Sequence, residues 1–391
     1  MGYNLAIMAQ SERVALIGPT YPYRGGIAHY TTLLAEALRQ QHETLLISFS
    51  QQYPTWLFPG RDDRDPSQRP LRTEAEYLLN PLNPLTWART LRRLRQWQPD
   101  LVIMQWWHPF WSPAWSYLGR GIRRLPGQPP LVYLCHNILP HEEGGRLSRT
   151  ILPHLIRFTL RPATGFITHS QSDRQILAQI LPDHPITVSP LPTYASLGQA
   201  TADLPVALPE NKPLLLFAGF VRPYKGLDVL LDALALVEQP CHLLVAGEFW
   251  QGTAVYETQI ARLGLGDRVT LLDEYLSNEA LAACLQRANV VVLPYRSATQ
   301  SAVIQLAFGA GCPVITTNVG GLAEVVADGR TGLIVPPENP PALAAAIDRY
   351  LVDGLEPVFR QGIVGENGRF SWDRLINQII NTGLVSSTET V

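Results

Sequence analysis

Short apolar runs alternate along this chain with stretches whose apolar positions recur every three or four residues. RVALIG (13–18), ETLLISF (43–49), DLVIMQW (100–106), PLVYLCHN (130–137), GFITHS (165–170) and ITVSPLP (186–192) read as strands in the first half. PLLLFAGF (213–220), HLLVAGE (242–248), VTLLDEYL (269–276), VVVLPY (290–295) and CPVITT (312–317) read as strands in the second. Uninterrupted apolar runs of this length suit strands covered on both faces. The segments between them carry helical spacing. Leu33, Leu34, Ala37 and Leu38 share a stripe, as do Leu91, Leu94 and Trp97, and further helices are expected over 147–160, after Ser170, and over 225–237, 253–265, 278–288 and 300–311. The helix ending at Gly311 is followed by a strand, a Gly320-Gly321 turn and another helix.

Strands alternating with helices through both halves predict two doubly wound, Rossmann-like α/β domains facing each other across a cleft. The first domain is expected over residues 1–197, a softer linker over 198–212 and the second domain over 213–383, with the last helix able to return to the first domain. Residues 384–391 then form a disordered tail. Residues 51–84 are Pro-rich, polar and irregular, the character of a long functional or mobile loop. Ligands of such folds sit beyond the carboxyl ends of the strands, here in the cleft between the domains.

Composition narrows the class. The chain has 391 residues, is 46% hydrophobic and 16% charged, and so can bury a sizeable core. A net charge of -2 gives no global attraction to nucleic acid. The four cysteines are scattered and form no CxxC pair, which argues against a zinc site or disulfide framework and for a reduced cytoplasm. No basic-then-apolar secretion signal opens the chain. Leu101 to Leu118 is rich in apolar residues but is broken by Gln105, His108, Pro109 and Pro113, so it reads as a strand, an aromatic loop and a helix rather than a membrane span.

Two stretches carry candidate chemistry. From Leu293 to Val326, two helix N-termini are expected at one edge of a parallel sheet, where unpaired N–H groups and the helix dipole favour phosphate. From Phe217, a buried strand ends at Gly219, a turn presents Arg222 and Lys225, and Gly226 opens a helix. An arginine fork, a lysine point charge and a glycine that lets the backbone approach are what a diphosphate needs. The plainer alternative is an ordinary βαβ unit with two solvated loop cations. The N-terminal Arg24-Gly25-Gly26-Ile27 turn lacks the GxGxxG spacing of a dinucleotide site.

From Arg13 to about Trp372 the chain resembles the retaining family 4 glycosyltransferases, whose fold is the two-Rossmann GT-B architecture. The resemblance implies a nucleoside-diphosphate sugar held mainly by the C-terminal domain and an acceptor held mainly by the N-terminal one. It implies that Arg222 and Lys225 grip the donor diphosphate, although Phe220 stands where many members carry the arginine. Gly25 and Gly26 would lie over the diphosphate, and His136, in CHNILPHE, would face the transferred sugar. Gly219, Gly226, Gly320 and Gly321 complete the donor side. The family usually places two glutamates where this chain has Ala298 and Leu306. Thr299, Gln300 and Ser301 then become the candidates for phosphate or sugar hydroxyls. Glu324 either caps its own helix or reaches the sugar. His141 and Glu142 lack HExxH spacing, and neither a metal ion nor any other cofactor is implied.

On the acceptor side the candidates are Trp107, His108 and Asn137, beside Trp106, Trp111 and Trp115, because aromatic planes stack on sugar rings and also lie well at a membrane interface. Arg89, Arg92, Arg93 and Arg95 would suit a peripheral contact with anionic lipid at the inner face of the membrane; a solvated helix over core tryptophans is the alternative. The expected activity is hexosyl transfer to a glycan or lipid-linked hydroxyl, for a surface polysaccharide, glycolipid or related glycoconjugate. Other readings are a non-catalytic nucleotide-sugar-binding or scaffold subunit, given the absent glutamates, and an epimerase or phosphorylase on the same fold.

Overall fold

The computed structural model describes residues 12–53, 62–139, 146–197 and 203–388. The N-terminal half comprises β1 (Arg13–Ile17), α1 (Gly26–Arg39), β2 (Glu43–Phe49), β3 (Glu76–Leu79), α2 (Pro84–Trp97), β4 (Leu101–Trp106), α3 (Ser112–Ile122), β5 (Leu131–Cys135), α4 (Arg146–Leu160), β6 (Gly165–Thr168), α5 (Gln171–Ile180) and β7 (Ile186–Val188). The C-terminal half comprises β8 (Leu214–Ala218), α6 (Leu227–Leu234), β9 (His242–Ala246), α7 (Ala254–Leu263), β10 (Val269–Leu272), α8 (Asn278–Arg287), β11 (Val290–Leu293), α9 (Ala302–Gly309), β12 (Val314–Thr317), α10 (Leu322–Val325), β13 (Gly332–Val335), α11 (Pro340–Val352), α12 (Glu356–Gly365) and α13 (Trp372–Thr388).

Both sheets are parallel and doubly wound: β3-β2-β1-β4-β5-β6-β7 in the first half and β10-β9-β8-β11-β12-β13 in the second. The strand order reverses beside β1 and again beside β8, and crevices open at such switch points. Side chains alternate across each strand, so one strand feeds two cores. Ala15 and Ile17 pack with Met104, Tyr133, Leu94, Trp115 and Ile156 beneath α2–α5. Val14 and Leu16 pack on the other face with Leu34, Leu38, Ile376 and Ile379 of α1 and α13. The last helix therefore crosses back and covers the N-terminal sheet. In the second half, Leu215 and Phe217 face α6 and α11, while Leu214 and Leu216 face α8 and α9.

The structure differs from the sequence reading in several places. The Pro-rich stretch holds the edge strand β3, paired through Ile47↔Glu76. β13, α11 and α12 follow in a segment for which the sequence pattern predicts no separate elements. The helix after Gly320-Gly321 is a single turn. α13 runs to Thr388, so most of the expected 384–391 tail is helical. Of the expected linker, residues 198–202 lie outside the described residues, and Leu204, Val206 and Leu208 pack against the C-terminal core. Among the described residues, no helix is long and apolar enough to cross a membrane.

Candidate functional site

The carboxyl ends of β1 and β5 face those of β8, β9 and β11 across a cavity of about 500 Å³. From the N-terminal half it is lined by Gly25, Gly26, His29, Tyr30, His136 and Asn137. From the C-terminal half come Gly219, Arg222, Lys225, Glu248, Gln300 and Ser301.

β8 ends at Ala218, and Gly219 turns with φ 95. A Cβ at Gly219 would stand 3.3 Å from Lys225 Nζ, so the lysine lies against bare backbone. A 3₁₀ turn over Pro223–Lys225 follows, and Gly226, at φ 69, opens α6. Lys225 is 8% exposed. Burial strips water from its ammonium and the neighbouring Arg222 repels it, which together bring its pKa down to about 7. The Arg222 guanidinium lies 4.1 Å from the centre of the Trp250 ring. Two helix N-termini meet at this cavity. Gly25 begins α1 and Ser301 begins α9, both without a side-chain cap. A Cβ at Gly26 would lie 3.3 Å from Ala302 Cβ, so the two ends nearly touch across the cleft. Buried Lys225, part-buried Arg222 and uncapped helix ends converging from two domains make an arrangement suited to a multiply charged anion.

A polar floor links the halves. Gln300 Nε2 donates to the His136 carbonyl at 2.9 Å, and Thr299 Oγ1 donates to Asn137 Oδ1 at 2.6 Å. His136 Nε2 lies 3.0 Å from Gln105 Oε1, while Gln105 Nε2 donates to Thr31 Oγ1 at 2.8 Å. The amide oxygen of Gln105 thus faces His136, and the imidazole proton sits on Nε2. Burial, then His169, holds the His136 pKa well below the ordinary range, so the ring is neutral at pH 7. The Gln300 amide nitrogen is engaged by a carbonyl, which leaves its Oε1 as an acceptor, buried and without a partner among the described residues.

Not every predicted residue reaches the cavity wall. Gly226 packs its backbone against the Pro294 carbonyl. Gly320 and Gly321 pack on the Ala298–Thr299 backbone, and the Gly321 N–H donates to the Thr299 carbonyl at 3.0 Å. The N-terminus of α10 therefore holds the 298–299 loop. Thr299 turns to Asn137. Glu324 neither caps its own helix nor enters the cavity; its carboxylate accepts from the Gln171 N–H at 2.8 and 3.0 Å, at the N-terminus of α5 in the other domain. Trp107 is buried among Phe49, Trp111 and Trp115, and its indole N–H donates to Tyr53 Oη at 2.7 Å. His108 caps the turn at Phe110 through Nδ1. Trp106, Trp111 and Trp115 are core. Arg93 is bound bidentate by Glu76, while Arg89, Arg92 and Arg95 are exposed. His141 and Glu142 lie outside the described residues. Among those described, no group of three or more His, Cys, Asp or Glu is placed to hold a metal ion.

The sequence reading missed an ion pair across the cleft: Arg24 Nη2 and Glu248 Oε2 are 2.7 Å apart, with side chains 4% and 3% exposed. Arg24 also stacks 4.4 Å from the centre of the Tyr275 ring. Register brings only Glu248 beside the 219–225 turn, because Ala218 pairs with Ala246; it carries no signal for Arg24, which comes from the other domain. It also missed the 62–73 crossing, where the Asn278 N–H donates to Ser67 Oγ and the Arg69 N–H to Glu279 Oε1. The expected glutamate positions, Ala298 and Leu306, both line the cavity. Glu248 is the one carboxylate among its described lining residues.

The family model described as Glycosyltransferase Family 4 matches residues 24–193, and that described as Glycosyl transferases group 1 matches residues 212–353. A D-inositol 3-phosphate glycosyltransferase of Streptomyces bingchenggensis is 31% identical over 232 residues, covering 56% of this chain and 50% of that protein. An alpha-D-kanosaminyltransferase of Streptomyces kanamyceticus is 29% identical over 147 residues, covering 37% of this chain and 38% of that protein. The chain spans about half the length of the first curated relatives it matches. A sucrose-phosphate synthase from Thermosynechococcus elongatus superposes with a TM-score of 0.67 at 22% identity, over 96% of this chain and 98% of that one. The Anabaena HepE protein in complex with UDP-glucose superposes with a TM-score of 0.68 at 19% identity, over 95% and 99%. These structural likenesses show a shared two-domain fold.

Proposed function

Because the chain belongs to the family 4 glycosyltransferases and has their GT-B fold, we propose that it moves a glycosyl group from a nucleoside-diphosphate sugar to a hydroxyl. The acceptor is a glycan or lipid-linked saccharide, and the anomeric configuration is retained. The observation that carries this reading is the convergence of Arg222, buried Lys225 and the uncapped ends of α1 and α9 on one interdomain cavity. Charge develops on the departing diphosphate in the transition state, and preorganised cations and N–H groups in a shielded site stabilise it there.

The chemistry that suits this cavity is a front-face substitution, in which the leaving phosphate takes the acceptor proton. A double displacement needs a carboxylate at the anomeric carbon, and Glu248 is committed to Arg24. Neutral His136 positions the sugar rather than protonating it. Gln300 Oε1 accepts from a sugar hydroxyl, and Leu306 packs where a carboxylate would otherwise meet ribose. No step of this scheme calls on a metal ion. HepE was solved with UDP-glucose, which makes UDP-sugars the first donors to try.

The test is turnover of sugar nucleotides by the full chain with and without acceptor. Arg222→Ala and Lys225→Ala should each slow nucleoside-diphosphate release about 100- to 1000-fold, the usual cost of losing one such contact. Near-wild-type rates in both variants would remove these residues from the mechanism. The absence of carboxylates at Ala298 and Leu306 favours the second reading, a binding or scaffold subunit. Tight donor binding with no diphosphate release under any condition would establish it instead.

A further inference from the structure

One layer of the N-terminal domain has a charge unlike the rest of the chain. Residues 80–172 hold eleven arginines and three acidic residues, a net +8 in a chain whose net charge is -2. Helices α2, α3 and α4 contain no Asp or Glu at all. The three helices adjoin: Trp87 of α2 meets Tyr117 of α3 with ring centres 5.8 Å apart, and Arg120 of α3 lies 4.0 Å over the Phe158 ring of α4. They cover the sheet face opposite α1 and α13.

This layer also exposes apolar side chains in register with its arginines. On α2, Leu85 (69% exposed), Arg89 and Arg92 follow one another at helical spacing. On α4, Ile151, Leu155 and Phe158 form an exposed apolar stripe, Phe158 at 58%, with Arg157 and Arg161 beside it. The Arg89 and Arg92 guanidinium groups make no hydrogen bond or ion pair among the described residues. A purely solvated helix face can leave its arginines unpaired, but it has no use for a contiguous exposed apolar stripe beside them. A nucleic-acid surface would supply the arginines without aliphatic residues between them.

From this pairing of unneutralised arginines with an apolar stripe, we infer that the α2–α3–α4 layer docks on an anionic lipid bilayer. The arginines meet headgroup phosphates and Leu85, Ile151 and Phe158 enter the acyl boundary. The surface extends well beyond the arginines of α2, and Arg93, held by Glu76, takes no part. The layer also reaches the cavity: Phe110, just before α3, contacts Tyr53, which lines it. Docking on this face would bring a membrane-borne acceptor to the N-terminal side of the site. The inference is separate from the donor chemistry, and its test needs no turnover.

The test is sedimentation of the full chain with vesicles of phosphatidylcholine alone or with a third phosphatidylglycerol, at 0.1 M and 0.5 M salt. The wild type should bind the anionic vesicles only, and more weakly at high salt. Arg89→Glu/Arg92→Glu should weaken partitioning at least about 30-fold, each arginine near a charged surface contributing about a factor of five. Ile151→Ser/Phe158→Ser should weaken it at least about tenfold. Unchanged thermal unfolding of each variant excludes a folding defect; a variant that unfolds is replaced by Leu85→Ser or Arg92→Ser. Three results would overturn the inference: no binding to anionic vesicles, binding unaffected by both variant pairs, or binding lost in the arginine pair but untouched in the apolar pair. The last would mark a general polyanion surface, and a labelled RNA of similar charge density would then bind equally well.

Discussion

Lys225 is held in a state that only an anion relieves. Its pKa falls from 10.5 to about 7 through burial and then through Arg222, so near neutrality about half of the free protein lacks the charge. A bound diphosphate restores the favoured ammonium, and donor binding takes up a proton above pH 7. Affinity for a sugar nucleotide should therefore fall as pH rises, about tenfold per unit above pH 7 and about 30-fold between pH 6 and 8.5. A sugar nucleotide is the right probe because the terminal phosphate of a free diphosphate itself titrates near pH 6. Calorimetry in buffers of different ionisation enthalpy should register about half a proton taken up at pH 7 and close to one at pH 8.5. Lys225→Met should bind weakly and with a flat profile. The linkage to stability has a definite sign. Between pH 7 and 10.5 the unfolded chain binds more protons at this position than the folded one, so this lysine makes the free protein more stable as pH rises across that window. Removing it should stabilise the free protein at pH 7 by up to about 4 kcal/mol. A flat wild-type profile, or a slope that survives in Lys225→Met, would refute the reasoning.

Three further outcomes follow from the same geometry. Gln300→Leu removes the acceptor offered to a sugar hydroxyl together with the donor to the His136 carbonyl, and should weaken sugar-nucleotide binding about 3- to 10-fold more than binding of the free nucleoside diphosphate, which feels only the second loss; equal losses for both ligands would contradict that assignment. Arg24→Ala breaks a buried pair spanning the cleft and should cost about 3 kcal/mol in chemical denaturation, with part recovered in Arg24→Ala/Glu248→Gln; an unchanged midpoint would mean the pair does not hold the domains together in solution. Chelation with EDTA should leave donor turnover within about twofold of the untreated rate, and a loss restored by a divalent cation would assign a metal to the mechanism.

The doubly wound architecture was legible because strands buried on both faces must be continuously apolar, as Leu214–Ala218 and Val290–Leu293 are. The Arg222–Lys225 turn was legible because its glycines flank two cations directly after such a strand. The edge strand β3 was hidden because Glu76 and Tyr77 sit half in solvent among prolines, without the apolar run of a central strand. The Arg24–Glu248 pair joins residues 224 apart and depends on how the domains face each other, which local pattern does not encode. The role of Glu324 is hidden for the same reason: its position suits its own helix, but the N-terminus of α5 approaches it from the other domain. Trp107 and His108 looked like an acceptor platform because aromatic residues suit both sugars and cores. Packing against Phe49, Trp111 and Trp115 puts Trp107 in the core, while exposed His108 caps the turn that follows it.

In the proposed mechanism one cavity grips the donor diphosphate through Arg222 and Lys225. Titrating the full chain calorimetrically with UDP, GDP and ADP sugars, beside Arg222→Ala, tests this most directly. The prediction is saturable binding of at least one sugar nucleotide by the wild type, weakened about 100-fold or more in the variant. Binding of none of them, or equal binding by both proteins, would contradict it.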